Sequence, residues 1–226
     1  AAELFRRLGA AATAAAPDGA WVEGGAVVLE VEGPVRAILA GERVALNLLG
    51  RMAGVASLTR ELADRLAAAG CRARVAATRK TTPGFRAFEK EAVRVGGGDP
   101  HRMGLWDAAM VKDNHVAACG GDVAGAVRKV VAANPGKEAT CEVESLPHAL
   151  EAARAGAHWL LIDNQAPATG KAWAEAVRRE FPRVKVEASG GIRPDTLVEY
   201  GWADRVSLGW LTQKAWAKDL ALEWGP

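Results

Sequence analysis

No apolar run in this chain of 226 residues approaches the roughly 20 needed to cross a bilayer as a helix, and no leader-like segment opens it. The chain therefore reads as soluble and cytoplasmic. It is also poor in cysteine. Cys71, Cys119 and Cys141 show no CxxC spacing and lie in or beside apolar segments, so they read as buried free thiols of a reducing compartment rather than as a metal or disulfide framework. Net charge is only +2, which argues weakly against nucleic acid, a ligand that usually demands a strongly basic face. No GxGxxG follows the first strand of the main domain, so the usual dinucleotide fingerprint is absent.

What the chain does have is apolar content, 50% of its residues, enough to fill a substantial core. From about Arg72 onward, short β-rich runs alternate with amphipathic stretches. Strands are expected at Arg74–Ala77, Ala108–Val111, Thr140–Val143, Trp159–Ile162, Val184–Glu187 and Val206–Leu208. Helices are expected at Phe85–Val95, Val123–Ala133, Leu146–Ala155, Gly170–Glu180 and Pro194–Tyr200, with Ser145 as an N-cap. Such alternation means a parallel sheet with right-handed crossovers. Polar residues at each strand's carboxyl end favour an open or incomplete parallel α/β barrel, with an open doubly wound sheet as the alternative.

Upstream, Glu42–Ala69 reads as one long helix, with Gly50 and Gly54 as a break or a close-packing point. The first forty residues differ: a helical start at Ala2–Ala15, a turn at Pro17-Asp18-Gly19, and short strands at Ala20–Val22 and Val27–Glu32. That is too little for a core of its own. The expected division is a partial amino-terminal α/β sandwich domain over residues 1–40 and the barrel over residues 41–226.

The chemistry gathers at the strand ends. Arg79 and Lys80 follow the first barrel strand, His101 and Arg102 follow the glycine run Gly96–Gly98, and Lys112 ends the second strand. Cations facing one place suit a polyanionic ligand, the arginine fork for carboxylate or phosphate and the lysine as a point charge. Lys112 is either an anion clamp or a Schiff-base nucleophile. Glu142 and Glu144 lie on one side of the third strand by alternation, and Asp163 ends the fourth. Hard oxygen ligands of this kind suit Mg²⁺ beside substrate phosphates. Ser189-Gly190-Gly191 and Ser207-Leu208-Gly209 follow the last two strands, a common position for a phosphate site in such barrels. Trp210 stands beside Gly209, within reach of that loop. The late tryptophans Trp202, Trp210, Trp216 and Trp224 read as core or interface residues.

In order and spacing, the segments GERVALN (Gly41–Asn47), ATRKTTPGFR (Ala77–Arg86), Glu89-Lys90, VGGG (Val95–Gly98), His101-Arg102, KDNH (Lys112–His115), EVE (Glu142–Glu144), IDN (Ile162–Asn164), VEASGGI (Val186–Ile192) and SLGWLTQ (Ser207–Gln213) resemble the quinolinate phosphoribosyltransferase family. The resemblance implies a homodimeric or larger transferase. It joins quinolinate to phosphoribosyl pyrophosphate with Mg²⁺, releasing pyrophosphate and CO₂ and giving nicotinate mononucleotide for NAD biosynthesis. By position it implies that Arg79, His101, Arg102 and Lys112 hold the quinolinate carboxylates and that Lys80 lies near both substrates. Arg43 would reach into a partner subunit's site, and Ser189, Gly190, Gly191 and Gly209 would bind the 5′-phosphate. Lys80, Lys112, Glu144 and Asp163 would carry the chemistry, the two carboxylates on the metal side. The chain departs from the family at Glu91, where a tyrosine is common, and at Trp210, where a smaller residue stands. Ala77 and Thr212-Gln213 look closer to animal-type members. A relative acting on another small anionic acceptor, and a catalytically silent scaffold, remain open at this point.

Overall fold

The computed structural model describes residues 1–225. Helix α1 (Ala2–Arg7) is followed by a two-stranded antiparallel sheet of β1 (Ala11–Ala14) and β2 (Leu29–Glu32), with Ala11 opposite Glu32. The expected helix over Ala2–Ala15 stops early because Gly9, at φ 88°, turns the chain out of the helix. The alanine-rich stretch beyond it then pairs with β2 instead, tertiary pairing overriding helix propensity. The strand expected at Ala20–Val22 does not form: no other segment runs beside it, and Trp21 is 72% exposed.

Helix α2 (Val35–Ala68) runs 34 residues from Pro34 at its N-cap, starting seven residues before the expected Glu42. It does not break at Gly50 or Gly54. Both lie against the returning carboxyl-terminal segment: a Cβ on Gly50 would meet the Lys218 carbonyl at 2.7 Å, and one on Gly54 would run into the Trp216 carbonyl. Near the start of the helix, Phe5 packs so closely on Gly41 that a Cβ there would lie 2.7 Å from its ring. Phe5, Ile38, Ala45 and Leu222 join in one small cluster, which ties the amino-terminal elements to this helix.

The barrel strands are β3 (Arg74–Ala76), β4 (Ala109–Val111), β5 (Ala139–Val143), β6 (Trp159–Asp163), β7 (Lys185–Ser189) and β8 (Arg205–Ser207). They form one six-stranded sheet in the order β3-β8-β7-β6-β5-β4, every pair parallel. Neighbours in space are neighbours in sequence except where the last strand meets the first. That is a barrel left open between β3 and β4. Across the gap, Asp99 makes a single parallel bridge to Ala76, so the loop after the glycine run serves as an irregular wall.

The helices outside are α3 (Arg86–Val95), α4 (Asp113–Ala118), α5 (Val123–Ala133), α6 (Leu146–Arg154), α7 (Pro167–Glu180) and the short α8 (Trp210–Gln213), with a 3₁₀ turn at Leu197–Tyr200. Ser145 caps α6 by accepting from the His148 amide at 3.3 Å, and Asp122 caps α5 through the Gly125 amide at 2.7 Å. The expected helix over Pro194–Tyr200 shrinks to the 3₁₀ turn, while α4 and α8, each short, were unmarked by any apolar period.

The core divides along α2 and along α5–α7. Leu62, Val75, Val206 and Leu208 pack on one side, and Val127, Cys141, Leu160 and Ile162 on the other. Of the three thiols only Cys141 is buried, and burial pushes it up to about 12. Cys71 and Cys119 are free and half-buried rather than buried as expected. Trp202 joins the core, whereas Trp216 is 90% and Trp224 60% exposed, so neither serves as a core residue. No helix among the described residues is long and apolar enough to cross a membrane.

Candidate active site

Parallel strands all end on the same face, so the residue after each strand's last carbonyl looks into a common mouth. There a cleft of about 570 Å³ opens. Arg79 and Lys80 enter it from the loop after β3, His101 and Arg102 from the irregular wall, and Lys112 from the end of β4. Glu142 comes from β5, Asp163 from β6, Ser189, Gly190 and Gly191 from the end of β7, and Gly209 with Trp210 from beyond β8.

Most residues proposed from sequence therefore meet in one place. Two do not. Glu144 is exposed and outside the cleft, because β5 ends at Val143 and the chain turns away toward the Ser145 cap. Alternation along a strand holds only while the strand continues, so Glu142 is the carboxylate that faces in. Arg43 lies on α2 with its side chain 74% exposed, its nearest carboxylate Glu42 at 3.9 Å, and it does not line its own chain's cleft.

The electrostatics of the cleft are lopsided. Lys112 Nζ donates to Glu142 at 2.5 Å, and His101 Nε2 lies 3.1 Å from Glu187. Among the described residues, Arg79, Lys80 and Arg102 have no carboxylate within ion-pair distance. Arg102 is only 8% exposed; its guanidinium reaches the Ala108 carbonyl at 3.4 Å and the Met110 sulfur at 3.0 Å. Its pKa is lowered by burial first and then by the Arg79 charge. A buried guanidinium with such weak partners is a costly arrangement that an anion relieves.

Sequence reading missed Glu187, the buried carboxylate in the barrel's interior. Burial raises its pKa, but the His101 hydrogen bond, the His101 and Arg205 charges and the Ser207 hydroxyl together outweigh burial and hold it at about 2. Arg205 donates to it through Nε at 2.7 Å and Nη2 at 2.6 Å. The motif VEASGGI contained this residue, but alternation along β7 was the only sign that it faces inward. His101 itself is held at φ 53°, a backbone state uncommon outside glycine.

The glycine run Gly96–Gly98 is packed rather than free: a Cβ on Gly96 would run into the Ala56 carbonyl of α2. A Cβ on Gly98 would lie 2.6 Å from Thr59 Cγ2 and 2.8 Å from Val93 Cγ1, so the run is small in order to pack on α2. Gly190 and Gly191, in contrast, have φ of 86° and 62°, and a side chain on Gly190 would collide with Asn164. This loop needs its glycines for backbone shape, leaving main-chain groups open to the cleft. Trp210 lines the cleft beside Gly209 while packing partly on the core.

For a metal, the donor set is sparse: among the described residues no three His, Cys, Asp or Glu side chains converge. Mg²⁺ asks for little more than one or two carboxylates when substrate phosphates supply the rest. Asp163 and Glu142, both in the cleft, fit that demand. Asp163 Oδ2 accepts from the Asn164 amide at 2.5 Å, which orients its carboxylate.

At the opposite end of the barrel lies a second cavity of about 630 Å³, lined among others by Arg74, Trp159, Lys185 and Arg205. Here Arg205 stacks over Trp159 at 3.7 Å and is paired with Glu187, and Lys185 lies 3.8 Å from Glu138.

Comparison with known proteins gives the family and the fold. Residues 55–223 match the family model "Quinolinate phosphoribosyl transferase, C-terminal domain", and residues 1–53 match the N-terminal domain of the same family. A probable nicotinate-nucleotide pyrophosphorylase [carboxylating] of Methanothermobacter thermautotrophicus is 46% identical over 91% of this chain and 75% of its own length. The human nicotinate-nucleotide pyrophosphorylase [carboxylating] is 43% identical over 97% of this chain and 75% of its own. Among solved structures, the nicotinate-nucleotide pyrophosphorylase of Francisella tularensis superposes with a TM-score of 0.90 at 33% identity, covering 97% of this chain and 78% of that one. NadC from Streptococcus pyogenes superposes at 0.85 with 39% identity, covering 96% and 78%.

Proposed function

The chain belongs to the quinolinate phosphoribosyltransferase family and is a transferase of NAD biosynthesis, and we propose that its carboxyl-end cleft is where quinolinate meets phosphoribosyl pyrophosphate. The observation that carries this reading is the set of unpaired cations, Arg79, Lys80 and Arg102, facing a mouth that also holds glycine loops and three carboxylates, Glu142, Asp163 and Glu187. Quinolinate is a dianion and its co-substrate carries still more negative charge. Arg102, buried without a carboxylate partner, is costly until an anion pairs with it, and the exposed Arg79 and Lys80 add attraction for that anion.

In this reading Arg102, Arg79, His101 and Lys112 bind the two ring carboxylates and fix the pyridine nitrogen toward the ribose. Ser189, Gly190, Gly191 and Gly209 offer small-residue backbone to the 5′-phosphate. Lys80, between the two groups, neutralises charge on both substrates. As the bond to pyrophosphate lengthens, the ribosyl carbon gains oxocarbenium character, which Glu142 and Asp163 stabilise as fixed carboxylates. Glu142 thereby takes the role first expected for Glu144. Mg²⁺, when bound, would be held by Asp163 and Glu142 together with the pyrophosphate and would offset its negative charge. After the ring nitrogen is ribosylated, its positive charge pairs with the carbanion left when the adjacent carboxylate departs as CO₂, and a proton from solvent then takes the carboxylate's place on that ring carbon. Positioning and electrostatics suffice, with no covalent enzyme intermediate.

A homodimer completes the site in this proposal. Arg43 is directed to solvent, and Val35, Leu39 and Val44 on the same helix are 57%, 53% and 50% exposed, an apolar surface suited to a second copy. Single-turnover formation of nicotinate mononucleotide from quinolinate and phosphoribosyl pyrophosphate, with and without EDTA, tests the reading. Product that EDTA suppresses is expected. A folded protein that binds quinolinate yet forms no product would overturn it.

A further inference from the structure

We propose that two adjacent residues of α3, Glu89 and Lys90, are positioning residues that hold the basic loops of the cleft from behind, Glu89 the Arg79–Thr82 loop and Lys90 the His101–Arg102 loop. The proposal rests on the quinolinate reading above for what those loops bind, but not for how they are held.

Neither residue touches the cleft, and both are buried beyond the reach of solvent, Glu89 at 0% and Lys90 at 1% exposure. Consecutive side chains on a helix point about 100° apart, so one turn of α3 can face two different loops. Lys90 Nζ donates to the Arg102 carbonyl at 2.7 Å and to the Pro100 carbonyl, bracketing His101 on both sides. His101 is the residue held at φ 53°, and an uncommon backbone state persists only where its surroundings enforce it. The Asp99 carboxylate accepts from the His101 amide at 2.7 Å and completes that bracket.

Glu89 works on the other loop. It accepts from the Thr82 amide at 3.0 Å and from the Thr82 hydroxyl at 2.8 Å. It also accepts from Arg51 through Nε at 3.0 Å and Nη2 at 2.6 Å. Arg51 in turn donates to the Ala215 carbonyl at 2.8 Å and to the Thr212 carbonyl. Thr212 Oγ1 closes the circuit by donating to the Lys80 carbonyl at 2.6 Å. Glu89 thus ties the loop carrying Arg79 and Lys80 to the loop carrying Gly209, whereas Lys90 ties only the wall carrying His101 and Arg102.

Burial, then the Arg86 and Arg102 charges, lower the Lys90 ammonium to about 8, with Asp99 and Asp107 acting in the opposite sense. Charged or neutral, the amine keeps at least two N–H donors for its two carbonyls.

The division of labour makes the test a crossed one. Hydrogen exchange read by mass spectrometry is compared for peptides covering residues 79–84 and 99–104 in wild type, Lys90→Met, Lys90→Gln and Glu89→Gln. Lys90→Met should speed exchange in 99–104 at least tenfold and leave 79–84 within twofold, and Glu89→Gln should do the reverse. Lys90→Gln, which keeps two donors, should fall nearer wild type than Lys90→Met. In turnover, Lys90→Met should raise the KM for quinolinate at least tenfold with the KM for phosphoribosyl pyrophosphate within twofold, while Glu89→Gln should raise both. Equal acceleration of both peptides, or of neither, overturns the proposal, as does a common rise of both KM values in Lys90→Met. Should Lys90→Met or Glu89→Gln not fold, wild type and the milder Lys90→Gln still decide. In wild type, fast exchange of the Thr82 amide, which donates straight to Glu89, would sink the Glu89 half, and an equal effect on both peptides in Lys90→Gln the other half. A wild-type protein without turnover would count against the quinolinate reading alone, because the exchange pattern needs no activity.

Discussion

The two ends of the barrel hold cavities of similar size, about 570 Å³ at the carboxyl end and about 630 Å³ at the amino end, and both are rich in charge. They differ in how that charge is settled. At the amino end the buried Arg205 is paired with Glu187 and stacked on Trp159, Lys185 is near Glu138, and Asp204 meets Arg178 at 2.9 Å. Arg74 and Lys137 there, without carboxylate partners among the described residues, are exposed to water. At the carboxyl end the exposed Arg79 and Lys80, and the buried Arg102 that lies between the two cavities, have no carboxylate within ion-pair distance among the described residues. Buried charge that the protein neutralises for itself, as at Arg205, builds structure, and buried charge that it leaves unneutralised, as at Arg102, waits for a ligand. Cavity volume alone would not have told the two apart.

Arg102→Ala should break the comparison hardest. A carboxylate held by a buried guanidinium loses two charge-assisted hydrogen bonds, each worth about 2 kcal/mol, so kcat/KM for quinolinate should fall on the order of a thousandfold. Steady-state kinetics would show it, and a loss under tenfold would return Arg102 to the structural class.

Glu187 belongs to both ends, since it binds His101 above and Arg205 below. Glu187→Gln leaves buried Arg205 with only Asp99, at 3.8 Å, as a counter-charge and should cost about 3 kcal/mol in urea unfolding. The pH dependence follows from the same carboxylate. Its folded pKa, about 2, lies below the usual 4.5, so its contribution is whole above about pH 4.5 and is lost as pH falls toward 2. Acid titration of stability should therefore be shallower in Glu187→Gln than in wild type over that window.

Lys185→Ala should sharpen the contrast by doing little. Its pair with Glu138 spans 3.8 Å with both side chains more than half exposed, and such pairs contribute under about 0.5 kcal/mol. Thermal unfolding and quinolinate kinetics should both stay near wild type. A tenfold kinetic loss there would mean that the amino-end cavity takes part in function after all.

Much of the barrel was legible beforehand because its strands are short apolar runs closed by glycine, proline or a helix cap. β6 is buried from Trp159 to Ile162, and such a run reads as a strand from composition alone. The amino-terminal elements were misread for the opposite reason. Ala11–Ala14 has no apolar period of its own and becomes a strand only because Leu29–Glu32 lies beside it. Within the site, Arg79, His101, Arg102 and Lys112 could be picked out because a cation at a strand end is conspicuous. Glu144 rather than Glu142 follows from the family resemblance by position, and only the end of β5 at Val143 shows that Glu142 is the carboxylate facing the cleft. Glu89 and Lys90 stood in a recognisable segment without a role, since a buried charge on a helix shows its purpose only through the loops that it reaches.

By itself the sequence determined the alternation of strand and helix, and therefore a parallel sheet whose functional groups share one face. It also determined which side chains bring charge to that face. Only tertiary structure decided which of those charges go unpaired, which of two nearby carboxylates looks inward, and what holds the strained loop at His101. The physical reason is range. Periodicity and capping act over a few residues, and a single chain of letters records them. Pairing and burial depend on groups brought together from distant positions, as Lys112 is with Glu142 and His101 with Glu187, and exist only once the barrel has closed around them.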